Sequence, residues 1–194
     1  MVEVVMDDML TAEQGAFLLR LARLAIAGKL GGKEKIPAAE DAALQRKSGA
    51  FVTLKIAGRL RGCIGNLEPA GSIIDGIRRN ALNAAFHDHR FPPLSKEELD
   101  QVHIDISILT PASPLVYSDA ADLLQKIRPG VDGIILSHGS AMATFLPQVW
   151  EQLPRPEQFL GHLCLKAGLS EQAWRDSHPE ILVYRVQCFA EEKA

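Results

Sequence analysis

The chain has 194 residues, of which 47% are hydrophobic and 23% are charged, and its formal net charge is −3. This is the composition of an ordinary globular protein, and it lacks the basic excess with which general nucleic-acid binders hold a phosphate backbone. The longest apolar stretches fall far short of the ~20 residues that cross a bilayer, so no membrane span is predicted.

The N-terminal segment and the cysteines predict a cytoplasmic protein. The first eight residues lack the basic region that opens a secretory signal. The three cysteines are well separated and odd in number, which does not suit a disulfide framework. We therefore expect free thiols in a reducing compartment.

Capping residues and hydrophobic periodicity predict the elements of the first half of the chain. Helices are expected where Ser, Thr or Pro precedes an apolar pattern, and a hairpin where alternating residues flank the turn at Ala57-Gly58. In chain order these elements are a helix from Thr11 to about Gly28, a short helix over 38–46, a hairpin over 50–65, a helix from Ser72 to near His87, and one or two turns after Ser95.

The second half alternates strands with short helices. Its predicted elements are a strand over 103–108, a helix over 119–127, a hairpin over 133–145, helices that begin at Pro147 and Pro156, and a last strand over 181–189. Hairpins with irregularly interspersed helices predict an α+β fold with a largely antiparallel sheet. No linker is long enough to separate independent domains, so we expect one unit, with two lobes as the alternative.

The run from Leu60 to Gly65, with the sequence LRGCIG, carries the strongest candidate nucleophile. A two-residue repeat would place Arg59, Arg61 and Cys63 on one face of the strand and Leu60 on the other. Nearby cations favour a thiolate. The alternative is that Cys63 is a small residue filling a tight strand crossing, since cysteine is often buried.

Gly62 and Gly65 flank the thiol and leave room for a ligand or another backbone to approach. We therefore expect both to line the site.

The loop over 87–90, with the sequence HDHR, is the densest polar cluster. His87 and His89 with Asp88 could ligate zinc or iron, but this spacing is weakly specific. The favoured interpretation is a helix C-terminus with cationic side chains near the negative end of the dipole. Asp88 and Arg90 could equally form a pair that fixes the following turn, and no metal site is predicted.

Three polar residues, His103, Asp105 and Ser107, line one side of the strand over 103–108. Side chains on one strand face are expected to lie too far apart to form a relay unaided. A solvated sheet face explains them more simply.

Five motifs occur in an order that resembles the AMMECR domain family, which is named from a human chromosomal region linked to Alport syndrome and elliptocytosis. They are Arg61-Gly62-Cys63-Ile64-Gly65, Asp88-His89-Arg90-Phe91-Pro92-Pro93-Leu94, Gly130-Val131-Asp132-Gly133-Ile134, Leu146-Pro147-Gln148-Val149-Trp150 and Lys166-Ala167-Gly168-Leu169. The resemblance covers about residues 8–190 as a single AMMECR-type domain. The family's usual Asp-Pro-Arg-Phe reads Asp-His-Arg-Phe here, so the family pattern does not require His89.

The resemblance implies two unequal lobes around a mostly antiparallel sheet flanked by helices, with the Arg-Gly-Cys-Ile-Gly motif lining a cleft between them. Prokaryotic members are called AmmeMemoRadiSam system protein A, which implies two partners, a radical S-adenosylmethionine protein and a Memo-type protein. The family supplies no settled reaction, and no cofactor is predicted.

Two classes of function therefore stay open. The first is a thiol-dependent enzyme or enzyme subunit acting on a small anionic molecule, with Cys63 as nucleophile or redox thiol, Arg61 orienting the site, and Asp88 and Arg90 shaping it. The second is a non-catalytic ligand-binding or adaptor subunit for the two partners. A role in RNA modification ranks third, because the net charge of −3 argues against an unaided RNA binder.

Overall fold

The computed structural model describes residues 9–35, 41–69 and 71–192. The chain forms two compact units. Unit 1 runs to Thr110 and takes up the chain again from Gln187, and unit 2 comprises Pro111–Val186. The predicted α+β class is confirmed, and its strands are divided between two four-stranded sheets.

Unit 1 packs helices on one face of its sheet, which has the strand order β2-β1-β3-β8. Strand β1 lies in the middle and pairs antiparallel with both β2 and β3. The elements are α1 (Ala12–Lys29), α2 (Ala42–Gln45), β1 (Ala50–Ile56), β2 (Arg59–Asn66), α3 (Ile73–Phe86), α4 (Lys96–Leu99), β3 (Val102–Leu109) and β8 (Val186–Ala190).

The helix starts of unit 1 follow the predicted caps. Thr11 and Gln14 form both hydrogen bonds of a capping box at α1, and the Ser72 hydroxyl accepts the Asp75 N–H at α3. The predicted short helix over 38–46 is observed as Ala42–Gln45, and its residues 38–40 lie outside the described residues. Local sequence therefore determines where these helices begin.

The core of unit 1 lies between the helices and the inward face of the sheet. That face alternates as expected for a half-buried strand, with Val52 and Leu54 buried on β1 and Ile104 and Ile106 buried on β3. The hairpin turn is where it was predicted, because Ala57 and Gly58 both have positive φ, 49° and 76°, as a two-residue hairpin turn requires.

Unit 2 has a sheet of strand order β4-β7-β5-β6. Its core includes Trp150 stacked on Phe159 with ring centroids 3.7 Å apart, and the Trp150 Nε1 donates to the Asp132 carbonyl at 2.8 Å. The elements are β4 (Ser113–Pro114), α5 (Ala120–Lys126), β5 (Gly133–His138), β6 (Ala141–Phe145), a 3-10 helix (Pro147–Glu151), α6 (Pro156–Lys166), α7 (Ala173–Asp176) and β7 (Glu180–Tyr184).

The predicted continuous strand over 181–189 is wrong. It is split into β7, which pairs with β5 in unit 2, and β8, which belongs to the sheet of unit 1. Residues 181–184 are an unbroken apolar run, residues 185–188 alternate, and no Gly or Pro separates the two pieces, so the sequence carries no turn signal between them. Which strands pair with each other is decided by the tertiary structure, and the local pattern of residues does not specify it.

In the part of the chain that the structure describes, no helix combines the length and the apolar character needed to cross a bilayer.

Candidate functional site

Cys63 lies on β2, at the edge of the unit 1 sheet, directly opposite Thr53 on β1. The Thr53 hydroxyl donates a hydrogen bond to the Cys63 sulfur at 3.2 Å. The side chain of Cys63 is half-buried. The thiol is therefore neither a fully buried packing residue nor a loose surface group.

A register shift between Leu54 and Lys55 on β1 places an extra residue in β2, so that Gly62 faces Leu54 while Leu60 faces Lys55. Residues opposite each other in a ladder share a sheet face. Leu60 therefore lies on the same face as Cys63, and the predicted separation of these two residues is wrong. A β-bulge interrupts the two-residue repeat, and such a bulge re-aims side chains.

A buried carboxylate holds the backbone of Cys63 from outside the sheet. The Cys63 N–H donates to Asp88 Oδ2 at 2.8 Å, and Arg90 Nη2 donates to the Cys63 carbonyl at 3.1 Å. Arg90 also binds both carboxylate oxygens of Asp88, with Nε 2.9 Å from Oδ1 and Nη2 2.7 Å from Oδ2. We name these contacts the Asp88–Arg90 clamp. The clamp binds the backbone N–H and carbonyl of Cys63, which lie at the edge of the sheet and would otherwise lack a strand partner.

The clamp depends on a charged Asp88, whose side chain is only 2% exposed. The hydrogen bond from the Arg90 guanidinium holds the Asp88 pKa well below its usual value, against the opposing effect of burial. The N–H of Cys63 acts in the same direction. The chain therefore keeps a carboxylate where desolvation alone would favour the neutral acid.

Arg61 is paired within the protein as well. Its Nε lies 2.7 Å from Glu98 Oε1 and its Nη2 lies 2.9 Å from Glu98 Oε2, which is the two-pronged geometry of a strong guanidinium–carboxylate pair. Glu98 also accepts the Ser95 N–H in the capping box of α4, and the Arg61 hydrogen bond lowers the Glu98 pKa. Ligand binding by Arg61, Asp88 and Arg90 stays a prediction, and the structure gives all three an internal partner.

The two glycines of the motif make room for the protein itself. A Cβ at Gly62 would lie 2.1 Å from the Ala84 carbonyl oxygen of α3, and one at Gly65 would lie 2.2 Å from the Phe51 ring. The sequence predicted that either a ligand or another part of the backbone approaches these glycines. In the structure, other parts of the chain do. Whether either glycine also contacts a ligand is untested.

The histidine loop is a helix end, as the favoured interpretation had it. Helix α3 ends at His87, whose Nδ1 lies 3.2 Å from Asn83 Oδ1, and His89 is exposed. Asp88 is directed into the clamp. Across residues 9–35, 41–69 and 71–192, no group of three or more His, Cys, Asp or Glu side chains is placed to hold a metal ion.

The face of the unit 1 sheet that carries Cys63 also carries a charged cluster that the sequence did not single out as a site. In the ladders, Thr53 stands opposite Asp105, and Lys55 opposite His103. Lys55 Nζ contacts Asp105 Oδ2, and His103 Nε2 lies 3.3 Å from Asp105 Oδ1. We call this side, opposite the helices, the outer face, and the three side chains the Lys55–Asp105–His103 cluster.

The prediction for these residues of β3 was that they lie too far apart to form a relay unaided, and the structure brings one pair of them together, with His103 Nε2 at 3.3 Å from Asp105 Oδ1. Two long side chains at positions i and i+2 lean towards each other across the span of one intervening residue. The pairing register of β1 with β3 places Lys55 beside both His103 and Asp105, so knowledge of that register would have revealed the cluster.

The other two cysteines differ in environment from Cys63. Cys164 is buried within α6, and burial raises the pKa of its thiol. Cys188 on β8 is exposed, and its sulfur lies 3.7 Å from the Ser107 hydroxyl. These two thiols are natural references for the reactivity of Cys63.

Comparison with known proteins agrees with the sequence motifs. The sequence model of the AMMECR1 family matches residues 19–189. The chain belongs to the AMMECR1 family. An AMMECR1-family relative from Methanothermobacter thermautotrophicus is 40% identical over 185 residues, which cover 92% of this chain and 93% of that protein. Protein MJ0810 of Methanocaldococcus jannaschii is 37% identical over 190 residues, covering 94% and 92%.

The AMMECR1 fold is also present in a solved structure. The crystal structure of the uncharacterized protein PH0010 from Pyrococcus horikoshii is similar to this chain with a TM-score of 0.79 and 34% sequence identity, over 94% of both chains. Together these relatives establish the family and the fold. They assign no activity.

Proposed function

We propose that this AMMECR1-family protein is a cytoplasmic, thiol-dependent enzyme or enzyme subunit that acts on a small molecule through Cys63. The observation that carries the proposal is the double restraint on this residue. The Asp88–Arg90 clamp holds its backbone N–H and carbonyl, while the Thr53 hydroxyl holds its sulfur at 3.2 Å. A reacting group works best when its surroundings fix its position before the substrate arrives.

The contacts around the sulfur fix it for reaction. The Thr53 hydroxyl donates to the sulfur at 3.2 Å, and Arg90 Nη2 binds the carbonyl of the same residue at 3.1 Å. A thiol held in place on both sides is better positioned to attack a substrate. Cys63 is therefore the thiol that we expect to react.

Alkylation kinetics on the native protein test this proposal. Iodoacetamide is added at neutral pH, and peptide mass spectrometry follows each cysteine over time. Cys63 should be labelled faster than Cys188 although Cys188 is exposed, and Cys164 should be labelled slowly because it is buried. Labelling of Cys63 at or below the rate of Cys188 would refute an activated thiol.

A second candidate is a non-catalytic ligand-binding or adaptor subunit for a radical S-adenosylmethionine protein and a Memo-type protein. Its support is that Arg61 and Arg90 are engaged with carboxylates, and that the Cys63 sulfur accepts a hydrogen bond from the Thr53 hydroxyl. Cell complementation separates the two candidates. Cys63→Ser should abolish function if the thiol reacts and preserve it if the protein only binds.

A further inference from the structure

We infer that the small molecule lies on the outer face of the unit 1 sheet and that the Lys55–Asp105–His103 cluster binds its anionic end. This inference rests on the proposed role of Cys63 and adds the location and class of its ligand. The ligand is an elongated molecule, with an electrophilic carbon at one end and a carboxylate or phosphate at the other.

The strand ladders place the ligand on this face. Cys63 faces Thr53 on β1, and Thr53 faces Asp105 on β3, so the thiol and the cluster belong to one continuous surface. Lys55 is a diagonal neighbour of Cys63 on the adjacent strand, and such neighbours are about 7–8 Å apart. The Cys63 sulfur adds to an activated carbon–carbon double bond at this end of the ligand: the S–C bond forms, the π bond opens and the thiol proton goes to the adjacent carbon, so no group has to leave. A ligand bonded in this way reaches Lys55 without leaving the face.

Lys55 presents N–H donors to that ligand. Asp105 accepts from Lys55 through one carboxylate oxygen and faces His103 Nε2 through the other. An ammonium has three donors, so Lys55 keeps donors for a ligand beyond the one that faces Asp105. The side chains of Lys55, Asp105 and His103 are 41%, 23% and 28% exposed, which leaves them accessible to a small molecule.

The arginines of the sequence motif are less suited to this role. Arg61 is only 11% exposed and is bound in a two-pronged pair to Glu98, while Arg90 has the same arrangement with Asp88. The forked Nε/Nη2 edge of each guanidinium is already on a carboxylate, so a ligand anion cannot form the same two-pronged contact with it. Lys55 contacts Asp105 through its ammonium and binds an anion with its other donors, for which no forked edge is needed.

The spacing limits the length of the ligand. Adjacent strands are about 4.8 Å apart, so β3 lies about 10 Å from β2. A chain of a few bonds between the electrophilic carbon and the anion spans this distance. A compact anion such as iodoacetate places its charge beside the sulfur and misses the cluster.

A charged thiol probe of matched length tests the inference. The native protein is treated with 6-maleimidohexanoic acid or with its neutral amide, and labelling of Cys63 and Cys188 is followed by mass spectrometry. At Cys63 the ratio of the acid rate to the amide rate should be about two- to fivefold higher in the wild type than in Lys55→Gln, the range expected for one partly exposed ion pair.

Variants identify the groups that bind the acid. Lys55→Gln should lower the ratio at Cys63. Lys126→Gln removes a lysine paired with Asp122 in unit 2 and should leave the ratio unchanged. A ratio at Cys63 that Lys55→Gln leaves unchanged, or one that falls with Arg61→Gln and not with Lys55→Gln, would overturn the inference.

The two proposals fail differently. If the neutral amide labels Cys63 no faster than Cys188, the reactive thiol is refuted. If the amide labels Cys63 faster but the acid gains nothing, Cys63 is reactive and only the anionic end of the ligand is misassigned.

Discussion

The carboxylate of Asp88 holds the backbone of Cys63 through the N–H at 2.8 Å, and it does so from a loop 25 residues away in sequence. An edge strand normally leaves such groups to water or to another strand. Here Arg90 completes the arrangement by binding both the carboxylate and the Cys63 carbonyl. The position of the thiol is therefore coupled to the ion pair next to it.

Removing this carboxylate should destabilise unit 1. Asp88→Ala leaves the Cys63 N–H and the Arg90 guanidinium without their partner, and we expect a loss of about 2–3 kcal/mol. This figure is below that of a fully buried pair, because the Arg90 side chain is 46% exposed. Urea denaturation measures it. Glu34→Gln, which breaks a pair that is about 60% exposed on both sides, should change stability by less than about 0.5 kcal/mol.

The same carboxylate predicts an acid-dependent loss of stability. Because the Asp88 pKa is lower in the folded chain than in the unfolded chain, its contribution is fully present above the unfolded value of about 3.9 and is lost as the pH falls through the folded value. The difference in unfolding free energy between the wild type and Asp88→Asn should therefore be constant from pH 7 to about pH 5 and shrink below about pH 4. A difference that grows on acidification would contradict the ionised clamp.

The starts of the helices and the position of the hairpin turn were more predictable from the sequence than the pairing of the strands. Thr11, Ser72 and the Ala57-Gly58 turn act through neighbouring residues, and each was correctly read from the sequence. The bulge opposite Leu54 and Lys55 is a property of two paired strands, so the two-residue repeat assigned Leu60 to the wrong face.

The candidate site likewise combines a residue that the sequence identified with neighbours that only strand pairing brings to it. Cys63 was found because it lies in a distinctive motif. Its partner Thr53 and the Lys55–Asp105–His103 cluster lie on three strands whose register is set by tertiary pairing. Arg61 and Arg90, the two arginines predicted to bind a ligand beside the thiol, proved to have internal carboxylate partners, which only the folded chain reveals.

Gly62 should not tolerate a side chain. A Cβ there would lie 2.1 Å from the carbonyl oxygen of Ala84, which is helix backbone and cannot move aside cheaply. We expect Gly62→Ala to cost about 1–3 kcal/mol, the range for overpacking, as measured by urea denaturation. Gly76, inside α3 and with no atom within 4 Å of its Cβ position, is the matched control. Gly76→Ala should stabilise the chain by up to about 1 kcal/mol.

Thr53 should control the reactivity of Cys63. Thr53→Val keeps the shape of the side chain and removes the hydroxyl that donates to the sulfur at 3.2 Å, so the iodoacetamide rate at Cys63 should fall about two- to tenfold, as for one lost hydrogen bond. Thr53→Ser keeps the donor and should stay near the wild-type rate. Ser107→Ala acts on the longer 3.7 Å contact with Cys188, so the labelling rate of that thiol should change less. If Thr53→Val leaves the alkylation rate of Cys63 unchanged, the hydroxyl only packs against the sulfur and does not orient it for reaction.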